Sequence, residues 1–494
     1  MIHSFYHSVL QKRVLLTMVI VVAIIQLSTL PNRYIETDES WLAEHSYSFL
    51  HEGIVRLKTM PEILGLDTRS FVYHKLFAWF GAVVISIFGF AITPLKISAF
   101  LFYLAFLYLL YRHVISRTSN ENKAYLALLL VMCAPLVIRK SYSFRPDMML
   151  MFFSFAVYYF LTKYRKHGDI KWVVVAGVLA GLGFLTHLNG VAFCVAGFLF
   201  LAVYKKFKAV VIFSLVAIPI CAVYFLDLLP AGNFDTFLYQ ITNWPTVNHG
   251  DNYIGGGAWQ IVWGRIEKLL SEHQRFFWSD RVIGLSAIFF LSLIVGFRKL
   301  WADHRPLLLY MLLSVLALNI FGSHVAERYA VFYYGFMALI SMHAMFYLLE
   351  NGHAATKLIM LLLVLLQFAF ASKELSTLYT KSYNTVESHR YIVSQIPDSN
   401  PKILVPWELI FNDFEKHDFY SYKTYEYLGE KLPGGKMTQA ELLHKADELG
   451  MDYIIVNDLR ANDKHHWFYQ WEVVANPYYS QFYKDDRYMI LKHQ

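Results

Sequence analysis

The chain has 494 residues, 56% of them hydrophobic and only 16% charged, with three cysteines and a formal net charge of +7. A soluble chain of this length would divide into roughly three domains. Apolar runs near the ~20 residues that cross about 30 Å of hydrocarbon recur between positions 14 and 372, which excludes a soluble globular protein. The positive balance does not point to nucleic acid, because Lys and Arg gather in short loops between apolar runs, where membrane topology explains them.

In chain order, Lys12 and Arg13 precede a first span over 14–30. This predicts a cytoplasmic N-terminus and an external loop after the span. The run lacks a small-x-small site and many spans follow it, so it reads as a span and not as a cleaved signal. The external stretch 31–94 opens with an acidic loop, 31–74, in which 38–50 reads as a short amphipathic helix. Two apolar runs follow, 76–92 and 95–111, joined only by Thr93-Pro94. If both crossed, every later basic loop would face outward. The run 76–92 is therefore expected to lie along or dip into the outer leaflet.

Further spans are read at 124–138, 148–161, 173–185, 189–204 and 209–229. After an external loop, 230–280, come 282–297, 307–321, 329–348 and 358–371. This makes a polytopic α-helical membrane protein of about eleven spans plus in-plane helices. Cys133, Cys194 and Cys221 all lie in apolar runs and read as small buried hydrophobes. The membrane part is assigned to 1–371. The remainder, 372–494, is more polar: 402–407 and 452–456 read as strands, 487–491 as a third, and 438–449 as a helix with Thr438 and Glu441 placed for a capping box. This predicts a small external α/β domain.

Charged groups at membrane depth are costly, and are usually paired or functional. Asp38 and Glu39, Lys75, Arg139 and Lys140, Arg145 and Asp147, His187, and Arg328 all fall at predicted external ends of spans. The acids alone could simply favour a helix start. Pro146 beside Asp147 is likewise an ordinary helix opening. Arg139, Lys140 and Arg145, however, place positive charge on the side where it is disfavoured. That suits an anionic partner such as a lipid phosphate, although snorkelling would also explain it.

These passages resemble the GT-C superfamily of polyprenyl-phosphate-sugar glycosyltransferases, in the branch of the protein O-mannosyltransferases and the aminoarabinose lipid A transferase. Asp38-Glu39 resembles the acidic motif of the first external loop. Phe88-Gly89 through Ser98 resembles the "FG…R-x-S" passage, with Lys96 in place of Arg. Ala134-Pro135 through Ser143-Phe144-Arg145-Pro146-Asp147 resembles "P…S…R-x-D" most specifically. Ala176-Gly177 through His187 is similar to "aG…G-l-a-l-T-K", with His187 in place of Lys, and Arg328-Tyr329 resembles a late "R-Y" element. The family's Lys-Pro-Pro element is replaced by Tyr73-His74-Lys75-Leu76, which keeps only the Lys.

The resemblance implies transfer of a monosaccharide from a polyprenyl-phosphate donor to a hydroxyl of a protein, lipid or glycan acceptor, with inversion, on the outer face of a bacterial inner membrane. It implies Asp38 as general base, with Glu39 as the second candidate and Asp147 orienting the acceptor or helping to hold a metal. Lys75, Arg139, Arg145, His187 and Arg328 are the donor and phosphate candidates. A divalent metal ion is compatible with it, and His74 is the candidate ligand. The alternative from another class is a transporter or flippase for a lipid-linked or anionic substrate. Transporters tend toward internal repeats and midplane charges, and neither feature is read here.

Overall fold

A computed structural model describes residues 11–244, 258–322, 325–380, 385–432 and 435–494. The middle of the 230–280 loop lies outside them. Helix α1, Lys12–Ser28, leads through a tight turn to α2, Thr37–Glu52. Glu36 caps α2: its side chain accepts from the Glu39 amide, and the Glu39 carboxylate accepts from the Glu36 amide. This reciprocal arrangement satisfies two amides that would otherwise lack partners. Gly53, at φ 70°, ends the helix in the left-handed conformation that glycine adopts without penalty.

Helix α3, Lys75–Phe88, has 14 residues. At 1.5 Å per residue it is about 21 Å long, too short for the hydrocarbon core. It lies against α2, and its Gly81 makes the approach possible. A Cβ there would come within 2.3 Å of Ser46 Oγ and 2.7 Å of the Phe144 ring.

Next come α4, Ile92–Thr118, α5, Glu121–Met132, and the short α6, Pro135–Lys140. The single span expected over 124–138 is thus broken at Ala134. Proline lacks the amide and blocks the preceding turn, so Pro135 opens a new helix. The bundle continues with α7, Asp147–His167, α8, Lys171–Thr186, α9, Val191–Val203, and α10, Phe207–Ala222, then α11, Asn233–Thr242, α12, Ala258–Leu270, and α13, His273–Phe277. Cys194 and Cys221 approach to 3.8 Å between sulfurs across α9 and the end of α10, and both are free thiols.

Helix α14, Ile283–Phe321, covers two of the expected spans. A straight helix of 39 residues would run about 58 Å. Yet Arg281, just before it, meets Glu327, just after it, at 3.1 Å. The chain therefore folds back, and His304 leaves helical geometry (φ −126°, ψ 23°) two residues before Pro306. Helices α15, Val331–Asn351, and α16, Ala354–Thr380, complete the bundle. Among the described residues, six helical stretches are long and apolar enough to cross a membrane: α1, α4, α10, α14, α15 and α16, with their adjoining turns. The others are shorter or more polar. Length and composition alone thus support fewer crossings than the sequence reading counted.

The C-terminal part is α17, Val386–Val393, β1, Lys402–Val405, β2, Asp418–Ser421, α18, Tyr422–Glu430, α19, Gln439–Glu448, β3, Tyr453–Asn457, α20, Asp458–Ala461, β4, Tyr479–Lys484, and β5, Tyr488–His493. The sheet order is β2-β1-β3-β5-β4, parallel for β2-β1-β3 and antiparallel for β3-β5-β4. Alternation along the strands divides its two faces. Leu404, Ile454, Val456 and Leu491 pack with α18 and α19, while Ile403, Val405, Ile455 and Ile490 belong to one continuous apolar core with the helical bundle.

Candidate active site

Four charged side chains from three distant parts of the chain converge at the start of α2. Arg145 donates from Nε to Asp147 Oδ2 at 2.8 Å and pairs through Nη1 with Asp38. Arg328 Nη1 lies 3.9 Å from the same Asp38 oxygen. Asp38 keeps 41% of its side chain exposed, whereas Arg145 and Asp147 are buried. The helix start explains the placement. Glu36 and Glu39 hold the first turn, and of the two residues between them Asp38 is left half-exposed beside Arg145 and Arg328.

Glu39 is fully buried. It meets Lys96 at 3.1 Å and accepts from the amides of Phe144 and Glu36, at 2.6 and 2.8 Å. Every oxygen is engaged, so its position suits holding α2 rather than reacting. Arg139 and Lys140 are drawn to Glu36, at 3.4 and 2.6 Å, and Arg139 also reaches Glu374 at 3.6 Å and the Tyr34 hydroxyl. Burial alone would raise the Glu36 carboxyl, but Lys140, Arg145 and Arg139 pull it down to about 2.

Lys75 is buried and pairs with Asp227, which also accepts from the Tyr73 hydroxyl at 3.0 Å. The structure thus places Lys75 in an ion pair away from Asp38, and sequence reasoning missed Asp227. The signal was available, since Asp227 is a carboxylate at the end of the apolar run 209–229.

Between these two charged groups runs a chain of rings. His187 faces Tyr329 (centroids 5.6 Å apart) and stacks on His74 at 4.4 Å and 22°. His74 in turn lies 5.8 Å from Trp41. Burial and the nearby Arg328 lower the His74 imidazole to about 4, so it is neutral at pH 7. His45, behind Trp41, is lowered by burial to about 3. A face-to-face stack does not aim both imidazole rings at a shared ion. Among the described residues no group of three or more His, Cys, Asp or Glu is placed to hold a metal.

The C-terminal part of the chain also reaches this region. Thr37 donates to Glu408 Oε1, Trp407 Nε1 donates to Glu44 Oε2 at 3.4 Å, and Tyr47 donates to Glu415 at 2.8 Å. Glu44 also accepts from the Thr59 amide and hydroxyl, at 3.0 and 2.5 Å. Burial nonetheless pushes its carboxyl up to about 7.

Residues 75–226 match the family model described as dolichyl-phosphate-mannose-protein mannosyltransferase. That segment holds Lys75, Arg139, Arg145, Asp147 and His187, while Asp38 and Arg328 lie on either side of it. Comparison with curated proteins gives no match. Among solved structures, the chain is similar to ArnT from Cupriavidus metallidurans in its apo state, at 14% identity and a TM-score of 0.58, over 96% of this chain and 97% of that one. The same protein bound to undecaprenyl phosphate gives 0.57, also at 14% identity, over 96% and 97%. The archaeal oligosaccharyltransferase from Archaeoglobus fulgidus, in complex with Zn and sulfate, gives 0.53 at 15% identity, over 89% and 67%. By fold, the chain is similar to ArnT and to the archaeal oligosaccharyltransferase, and its 75–226 segment carries the mannosyltransferase model.

Proposed function

We propose that this protein is an integral-membrane inverting glycosyltransferase, which moves a monosaccharide from a polyprenyl phosphate to an acceptor hydroxyl. The observation that carries the reading is the convergence of Arg145 and Arg328 on a half-exposed Asp38. The undecaprenyl phosphate bound by ArnT and the mannosyltransferase model over 75–226 both agree with a lipid-phosphate donor. The fold gives no support to a transporter.

Before donor binds, Asp38 is held by two guanidinium groups, which weakens it as a base. A donor phosphate offers those cations a better-matched oxygen fork. Arg145 remains anchored to Asp147 through Nε and turns its terminal nitrogens to the phosphate. Asp38 is thereby released to take the proton of the acceptor hydroxyl as that oxygen attacks the anomeric carbon. The C–O bond to phosphate breaks, and the leaving phosphate keeps the electron pair. It needs no general acid, only the positive charge already aimed at it. A single displacement inverts the anomeric configuration. No step is routed through a metal, because the donor groups around His74 do not converge.

The charge pattern of the loops supports a cytoplasmic N-terminus, with this site and the C-terminal domain on the extracytoplasmic face of a bacterial inner membrane. The test is Asp38→Asn in purified protein given a radiolabelled undecaprenyl-phosphate sugar and acceptor. Transfer should vanish while undecaprenyl phosphate still binds. Normal transfer by this variant would remove Asp38 as the base.

A further inference from the structure

The start of α2 is contacted from a segment far along the chain. The Thr37 hydroxyl, one residue before Asp38, donates to Glu408 Oε1. Glu408 sits in the one-turn segment Trp407–Phe411, which packs directly on α2. It is buried, forms no ion pair among the described residues, and its second oxygen makes no hydrogen bond. A buried carboxylate with one described side-chain partner is costly for the fold, and a Gln or an apolar residue would fill the space with less penalty. The contact is not an isolated touch. Trp407 reaches Glu44 one helical face along, the Ser421 amide donates to Thr59 O at 2.8 Å, and Phe411 stacks on Phe90 at 5.3 Å. Alternate residues of β1, β3 and β5 continue the bundle's own core.

The Glu36–Glu39 box fixes the first turn of α2 against α4 and α6. Thr37, the residue directly before Asp38, carries a further tie, and that one comes from the C-terminal part of the chain. We propose that Glu408 is a positioning residue for Asp38, so that the C-terminal domain completes the catalytic site. This rests on Asp38 being the base, as proposed above. Glu408 acts through Thr37 and touches no reacting atom. Its loss should move kcat and leave donor binding unchanged.

The experiment compares wild type, Glu408→Leu, Glu408→Gln, Thr37→Val and the double variant Thr37→Val/Glu408→Leu as full-length protein in detergent. Glu408→Leu and Thr37→Val should each lower kcat about 10-fold, as expected for a misplaced catalytic group. Donor KM and undecaprenyl phosphate affinity should stay within twofold. The double variant should be no worse than either single one. Glu408→Gln, which keeps the accepting oxygen, should retain more than half the rate. Hydrogen exchange of the 36–44 segment supplies an arm independent of turnover: faster in Glu408→Leu and Thr37→Val, unchanged in Glu408→Gln. Multiplicative rate losses in the double variant, or unaltered exchange in both single variants, would overturn the proposal. Absence of transfer in wild type would instead count against the glycosyltransferase reading, and the exchange arm would still decide the role of Glu408.

Discussion

Glu39 and Lys96 form a buried ion pair, 3.1 Å apart, at the point where the first turn of α2 meets α4. Removing one partner strands the other as an uncompensated charge. Lys96→Met should therefore lower stability by about 3–5 kcal/mol. The double variant Glu39→Gln/Lys96→Met should recover part of that loss, because both charges leave together. Thermal unfolding in detergent reads both effects. Equal melting temperatures for the single and double variants would mean that the amide contacts of Glu39, not the pair, dominate.

Arg145 has two tasks, one on Asp147 and one on Asp38, and they use different nitrogens of the guanidinium. A lysine has one compact charge and cannot span both carboxylates. Arg145→Lys should lower kcat by about 10²–10³-fold. The helix start at Asp147 should still fold, so the melting temperature should shift only slightly. Steady-state kinetics with a labelled polyprenyl-phosphate sugar measures the first, and thermal unfolding the second.

Lys75 and Asp227 are 152 residues apart in sequence and joined in space. If their pairing is what each contributes, Lys75→Met and Asp227→Asn should destabilise by similar amounts and combine with a coupling on the order of 1 kcal/mol. Lys75→Met should then reduce donor affinity much less than Arg328→Met does. A larger affinity loss for Lys75→Met would return Lys75 to the phosphate site.

Glu44 gives a pH dependence with a definite sign. Its folded pKa, about 7, stands above the ordinary 4.5. Below pH 4.5 both folded and unfolded chains hold the proton, and this carboxyl opposes nothing. As pH rises from 4.5 to about 7 the unfolded chain releases its proton first, so stability falls, by about 3 kcal/mol in total, and then levels off. Glu44→Gln should remove that slope. Melting temperatures between pH 4.5 and 7.5, wild type against variant, test it.

Much of the bundle was legible because hydrophobic length is written directly into sequence. The acids and arginines at Asp38, Arg145, Asp147 and Arg328 were legible because polar groups next to apolar runs stand out. Partners were not. Asp227 and Lys96 each look like a lone charge until folding brings Lys75 and Glu39 to them, and no local pattern encodes a pairing across 152 residues. Strand β4, Tyr479–Lys484, escaped notice because it is exposed along most of its length and so carries no apolar alternation, and β2, Asp418–Ser421, because four residues carry too little periodicity. The fold-back at His304–Pro306 was read as a loop between two spans. The sequence marks the reversal through Pro306 but says nothing about how few residues it takes. Short apolar runs marked β1 and β3 as strands, yet they could not reveal that one face would join the core of the helical bundle.

The bond between Thr37 and Glu408 closes over 371 residues. During synthesis the loop bearing Asp38 is made well before Glu408. Every insertion intermediate that precedes Glu408 therefore carries Asp38 on a turn that lacks this one tie. A chain truncated before Trp407 would enter the membrane with its arginines and acids in place and still transfer sugar poorly. With Glu408 seating Thr37 as proposed, synthesis past Trp407 would be a precondition for full activity.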